Sequence, residues 1–174
     1  MKQFSQTLLD AIDCVGFHNL RGTWSDKIPS EALSKQMKNI HKAWGKKVLV
    51  YLSEYGFPVV DPKHRFDISL LEDIQVALFA YEVYACLSKA IHRVYWYTYK
   101  DLVAPSLRYA TTGWEDALQH HFGDTREDGT PRKLGRLLLE GGPIHVLRFA
   151  IENNLMSLVD RALLGRVLQY AFAV

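Results

Sequence analysis

The sequence predicts an α/β fold with parallel strands, on three observations. Short apolar, β-branched runs alternate with longer stretches of helical periodicity. The runs are continuous rather than alternating, as in strands buried on both faces, and the segments between them are long enough to hold a crossover helix. In such units the crossover is right-handed, and the loops after the strand carboxyl ends carry any chemistry.

Asp10-Ala-Ile-Asp-Cys-Val-Gly-Phe-His-Asn is a short apolar run closed by polar residues, which places a first strand at about residues 12–18. After a polar loop holding Gly22, Asp26 and Pro29, Ser30 suits the cap of a helix. Leu33, Met37, Ile40 and Trp44 fall at helical spacing in it, and Gly45 stops it. Val48 to Leu52 is too short for a helix and rich in β-formers, so a second strand is expected there, ended by Ser53-Glu54-Tyr55-Gly56-Phe57-Pro58. Ser69-Leu-Leu-Glu72 has the form of a capping box and opens a long helix to about residue 90, with Leu70, Ile74, Leu78 and Tyr81 on one face. A third strand at about residues 91–97 feeds a long polar loop, and Asp128-Gly129-Thr130-Pro131 is a turn that starts a further helix with Pro131 near its first position. After Gly141-Gly142-Pro143, two helical stretches are expected at about 144–152 and 155–172, split by Asn153-Asn154. They form either a cap on the same domain or an interface with a partner.

The 174 residues, 48% of them apolar, are enough for one domain with a core of its own. With 21 Lys and Arg against 19 Asp and Glu, spread along the chain, nothing argues electrostatically for nucleic acid. Cys14 and Cys86 lie in apolar runs and are expected to be reduced and buried. Neither a signal peptide nor a membrane span is evident, so a cytoplasmic location is the expectation. His120-His121, with His41, His64, His92 and Asp124, lacks the spacing of a metal site, and the glycines from 123 to 135 form no phosphate fingerprint. No cofactor is expected.

Glu54 is the residue with the strongest claim to chemistry. A carboxylate at the end of a parallel strand is held by rigid backbone at the mouth where substrates bind, although a carboxylate there also serves as a loop cap or as the partner of an arginine.

Three further segments stand in order with it: Asp13-Cys-Val-Gly-Phe-His18-Asn19, Arg93-Val-Tyr-Trp96-Tyr-Thr-Tyr-Lys-Asp101-Leu, and His121-Phe-Gly-Asp-Thr-Arg-Glu-Asp-Gly-Thr-Pro-Arg-Lys-Leu. The series resembles the last three β/α units of clan A retaining glycoside hydrolases, the β-xylosidase-like and related β-glycosidase barrels. The resemblance implies a partial (β/α)8 TIM-type barrel over residues 1–140, equivalent to strands six to eight, with a helical extension over 141–174 packing on it or on a partner. It implies a hydrolase acting in carbohydrate metabolism on a β-linked saccharide. Glu54 matches the catalytic nucleophile, with Ser53 in place of the more usual Thr. Trp96 matches the aromatic platform under the sugar, and His18, Asn19, Tyr55 and Asp101 match substrate-binding positions.

A retaining glycosidase needs a second carboxyl group, about 5 to 5.5 Å from the nucleophile, to protonate the leaving oxygen. In the resembled enzymes it follows an Asn at the end of strand four, which has no counterpart in this chain. Glu31, Glu72, Glu115, Glu127 and Glu140 do not follow an Asn at a strand end, and Glu31 and Glu72 suit helix first turns. The expectation is therefore a nucleophile without its acid/base, incomplete alone. Three strands of a closed barrel would leave open edges for a complementing chain or for self-association. The alternative is a non-catalytic sugar- or protein-binding module, or the remnant of a split gene.

Overall fold

In the computed structural model the described residues are 11–18, 38–39, 42, 49–57, 59, 67–88, 92–96, 98–101 and 123–159. They form strand β1 (Cys14–His18), strand β2 (Leu49–Tyr55), helix α1 (Ile68–Leu87), strand β3 (Arg93–Trp96), helix α2 (Lys133–Glu152) and a 3-10 turn (Leu155–Val159). Lys38, Asn39 and Lys42 are helical, inside the helix expected between the first two strands; the rest of that segment lies outside the described residues.

The strands pair in parallel in the order β1-β2-β3, so the expected α/β class with parallel strands is what the chain adopts. β1 begins at Cys14 rather than Ile12, and β2 runs on through Ser53, Glu54 and Tyr55, which the sequence pattern marks as the end of the strand. The extension follows from pairing: Glu54 and Tyr55 find ladder partners in His18 and Trp96, and paired backbone outweighs a local turn signal.

The helix α1 starts at Ile68, not at a Ser69 cap. Asp67 is its N-cap, and its carboxylate accepts the Ser69 N–H at 2.8 Å. Glu72, the expected return arm of a capping box, points elsewhere and accepts the N–H of Lys133, the first residue of α2, at 3.1 Å. One helix thus caps another. The expected face of Leu70, Ile74, Leu78 and Tyr81 does pack together, with Leu71, Ala77, Phe57, Val59 and Val159. A second side of α1, through Val76 and Ala80, packs on Leu134, Leu137, Val146, Leu147 and Ala150 of α2. Each large apolar side chain so enclosed contributes roughly 1.5–3 kcal/mol, so α1 ties α2 and the 3-10 turn to β3, whose Val94 and Trp96 pack on the same clusters.

The helix α2 begins at Lys133 after an Arg132 N-cap, two residues beyond Pro131. Pro131 instead bridges Thr125 in the closing arm of the preceding turn. At Gly142 two helical segments of α2 meet across a kink, so the break expected at Gly141-Gly142-Pro143 is present. Gly142 takes φ 70° and ψ −168°, a conformation essentially reserved for glycine, and Pro143 comes directly after it, at the start of the second segment, where proline is tolerated. Asn153 and Asn154 do end it, Asn154 at φ 54°, and Leu155–Val159 then forms a 3-10 turn at the start of the helix expected over 155–172, of which 160–172 lie outside the described residues. No described helix is long and apolar enough to cross a membrane. Cys14 is exposed on the edge strand and Cys86 is half-buried near the end of α1, against the expectation that both are buried.

Candidate functional site

The strand β3 alternates exposed, half-buried, exposed, half-buried from Arg93 to Trp96. Val94 and Trp96 pack against the core of α1, so Arg93 and Tyr95 lie on the opposite, open face. In register with them, Cys14, Gly16, Leu49 and Tyr51 share that face, and Leu49 and Tyr95 remain 40% and 48% exposed.

The register slips once. Phe17 pairs with Leu52 but His18 pairs with Glu54; on the other side Leu52 pairs with Val94 but Tyr55 pairs with Trp96. Both neighbours therefore see one extra residue in β2, a bulge at Ser53. In an unbroken strand position 54 would share the row of Leu52 and Val94, toward α1. The extra residue moves it into the row of Cys14, Gly16 and His18, level with Tyr95. The backbone register of β2 thus sets position 54 in that ladder row, one residue from the carboxyl end of the central strand.

The chain just beyond β2 is anchored. Phe57 is 1% exposed, and the buried Gln75 of α1 donates from Nε2 to the Phe57 carbonyl at 3.1 Å and to the Gly123 carbonyl at 3.3 Å. One side chain thus ties the exit of β2 to Gly123, the residue whose N–H bonds Asp101.

The segment after β3 is locked by charge. Asp101 accepts from Arg132 Nη2 through Oδ2 at 2.5 Å and from the Gly123 N–H through Oδ1 at 2.8 Å. Arg126 donates to Glu72 at 2.7 Å, and Arg132 lies 3.8 Å from the same carboxylate. Asp124 is enclosed beside this network. Burial pushes its carboxyl up to about 6; the Thr125 hydroxyl opposes the rise and the Asp101 charge adds to it.

These positions sort the residues singled out in the sequence. The structure brings Glu54 and His18 into register, and Tyr55 beside Trp96. Asn19 lies outside the described residues, as do Glu31, Glu115, His41, His64, His120 and His121. Trp96 faces α1, with its ring edge-on to Phe79 at 5.1 Å, and lines a cavity of about 300 Å3 shared with Glu82, Val83, Cys86 and Pro143, on the side of the sheet away from the Glu54 row. Asp101 sits in a buried ion pair. Glu72 is taken up by Arg126 and the Lys133 N–H, Glu127 is exposed, and Glu140 lies 3.4 Å from His145. Among the described residues no group of three His, Cys, Asp or Glu is placed to hold a metal ion.

Sequence reasoning passed over Tyr51, Arg93 and Tyr95. Arg93 Cζ stands 5.6 Å from the Tyr51 ring centroid, and its Nη1 donates to the Tyr95 hydroxyl at 3.5 Å. The alternation of β3 was the available signal, since two residues adjacent in a strand, such as Tyr95 and Trp96, face opposite ways.

No family model matches the chain, and no curated protein matches it. Among solved structures it is similar to the Faecalibacterium prausnitzii Beta-glucuronidase, with a TM-score of 0.45 and 16% sequence identity, over 80% of this chain and 22% of that one. The chain thus spans about a fifth of that protein's length and bears a weak structural resemblance to part of a glycoside hydrolase.

Proposed function

We propose that this chain is the carboxyl-terminal part of a retaining β-glycoside hydrolase, β-xylosidase-like and of clan A, in which Glu54 is the nucleophile. The observation that supports it is the register of β2: a glutamate one residue from the carboxyl end of the central parallel strand, moved by a one-residue bulge into register with His18, in the row of Cys14 and Gly16. On this reading residues 1–140 are the last three β/α units of a (β/α)8 barrel and the segment from 141 caps them. The open face is the barrel interior. A complementing chain or a second copy supplies the remaining wall and the acid/base, and the substrate is a β-linked saccharide.

The chemistry divides accordingly. Glu54 attacks the anomeric carbon and forms a glycosyl ester, while the leaving oxygen takes a proton from the second carboxyl group. A leaving group that departs without a proton removes the need for that second group. Incubation with a 2,4-dinitrophenyl 2-deoxy-2-fluoro-β-glycoside panel, xyloside and glucoside included, is therefore expected to add one fluoroglycosyl mass to the chain, localised by peptide mapping to Glu54 and absent in Glu54→Gln. Absence of any adduct, or an adduct that persists in Glu54→Gln, rejects Glu54 as nucleophile.

The second reading is a non-catalytic sugar- or protein-binding module. It is favoured by the composition of the open face: among the described residues, Glu54 is the one carboxyl-bearing residue in its rows, and the acid/base has no candidate there. Saturable sugar binding without ester formation selects this reading.

A further inference from the structure

Resting on the glycosidase reading above, we propose that Arg93 is a specificity-determining residue that recognises an anionic group, so that the saccharide taken by the open face carries a carboxylate. Apart from positions 18 and 54, the described residues of that face's ladder rows are Cys14, Gly16, Leu49, Tyr51, Arg93 and Tyr95, and Arg93 is the one cation among them.

Its guanidinium is held at two points. Tyr51, its register partner on β2, offers a ring face 5.6 Å from Cζ, and the Tyr95 hydroxyl accepts from Nη1. The second contact directs the group along β3 toward the tip of Tyr95, whose backbone is level with position 54. A guanidinium has five N–H donors in a planar fork, so one donated bond leaves donors for a planar, two-oxygen acceptor. The hydrogen bond to Tyr95 also holds the Arg93 charge more firmly than usual. Held by the two tyrosines, the arginine gives up little conformational freedom when it meets an anion, and a carboxylate matches its fork where a hydroxymethyl group does not.

The test is isothermal titration of the full chain with pairs of methyl β-glycosides that differ only at C6: glucuronide against glucoside, and galacturonide against galactoside. The carboxylate member of a pair is expected to bind about tenfold more tightly, the fold-change one charge-assisted hydrogen bond supplies. Arg93→Gln is expected to reduce that ratio to about unity while the neutral glycoside keeps its affinity, and Arg93→Lys to retain part of it. Tyr95→Phe, which leaves the charge in place, is expected to lower the ratio by a smaller factor and shows that the effect does not come from lost folding. A ratio unchanged in Arg93→Gln overturns the inference and leaves the saccharide reading standing. Equal losses on both members of a pair also overturn it, since Arg93 then acts on Glu54 and not on substrate. Absence of binding by every glycoside overturns the saccharide reading itself.

Discussion

Asp101 and Arg132, 31 residues apart in sequence, close on each other at 2.5 Å with both side chains about 95% shielded from water. The pair joins the exit of β3 to the N-cap of α2, and Asp101 also takes the Gly123 N–H. Removing one partner leaves the other charge enclosed without its nearest counterion, Arg132 keeping only Glu72 at 3.8 Å. Asp101→Asn, which keeps an acceptor for Gly123, and Arg132→Met are each expected to cost about 3–5 kcal/mol in urea unfolding. The double variant is expected to lose less than the sum of the two, by roughly 0.5–3 kcal/mol.

Gly123 sits against that pair so closely that an added Cβ would lie 2.2 Å from the Asp101 backbone nitrogen. Backbone cannot swing aside as a side-chain tip can. Gly123→Ala is expected to destabilise by at least the roughly 1–3 kcal/mol of an overpacked site, read from the same unfolding curves. Gly142→Ala meets no atom within 4 Å, yet its φ of 70° is costly for alanine. A loss of about 1–3 kcal/mol there, with unchanged helix content by circular dichroism, is expected from backbone strain alone.

The buried Asp124 makes stability depend on acid. Its carboxyl is raised from 3.8 to about 6 in the folded protein, so between those values the folded chain holds a proton that the unfolded chain has released. The contribution of Asp124 is full below pH 3.8 and is lost as pH rises through about 6. Asp124→Asn keeps the acceptor for the Thr125 hydroxyl and removes the titration. Urea midpoints from about pH 4 to pH 7 are expected to show the variant gaining on the parent as pH rises; a constant difference refutes the assignment.

The two cysteines are expected to react at different rates. Cys14 is exposed on the edge strand, whereas Cys86 is half-buried, with its thiol pushed up by burial and by the nearby Glu82 carboxylate. Iodoacetamide at mildly alkaline pH is expected to modify Cys14 first, as followed by peptide mass over time. Comparable rates refute the ordering.

The elements were legible because each rests on local pattern. Val48 to Leu52 reads as a strand by β-propensity, and Leu70, Ile74, Leu78 and Tyr81 do share a packed face. Features that depend on partners distant in the chain were not legible. The bulge at Ser53 exists only relative to β1 and β3, so no residue in β2 announces it. Glu72 looks like half of a capping box until Arg126 and Lys133, more than fifty residues on, arrive to claim its oxygens. For the site, Glu54 at a strand end could be read directly. The facing of Tyr95 in place of Trp96 required knowing which side of the sheet α1 covers.

The bulge in β2 carries a consequence for heredity. Loss of the single codon for Ser53 would let the three strands zip up without interruption and would leave Glu54 directly after Leu52, still opposite His18 and in the row of Cys14 and Gly16. Such a deletion changes no charge, removes no carboxylate and moves no other ladder partner, so its product would keep both the sheet and the register position of Glu54. The residue that makes the bulge is the one the strand can lose in a single in-frame event, whereas straightening with Ser53 retained would slide every later position of β2 by one and carry position 54 into the row of Leu52.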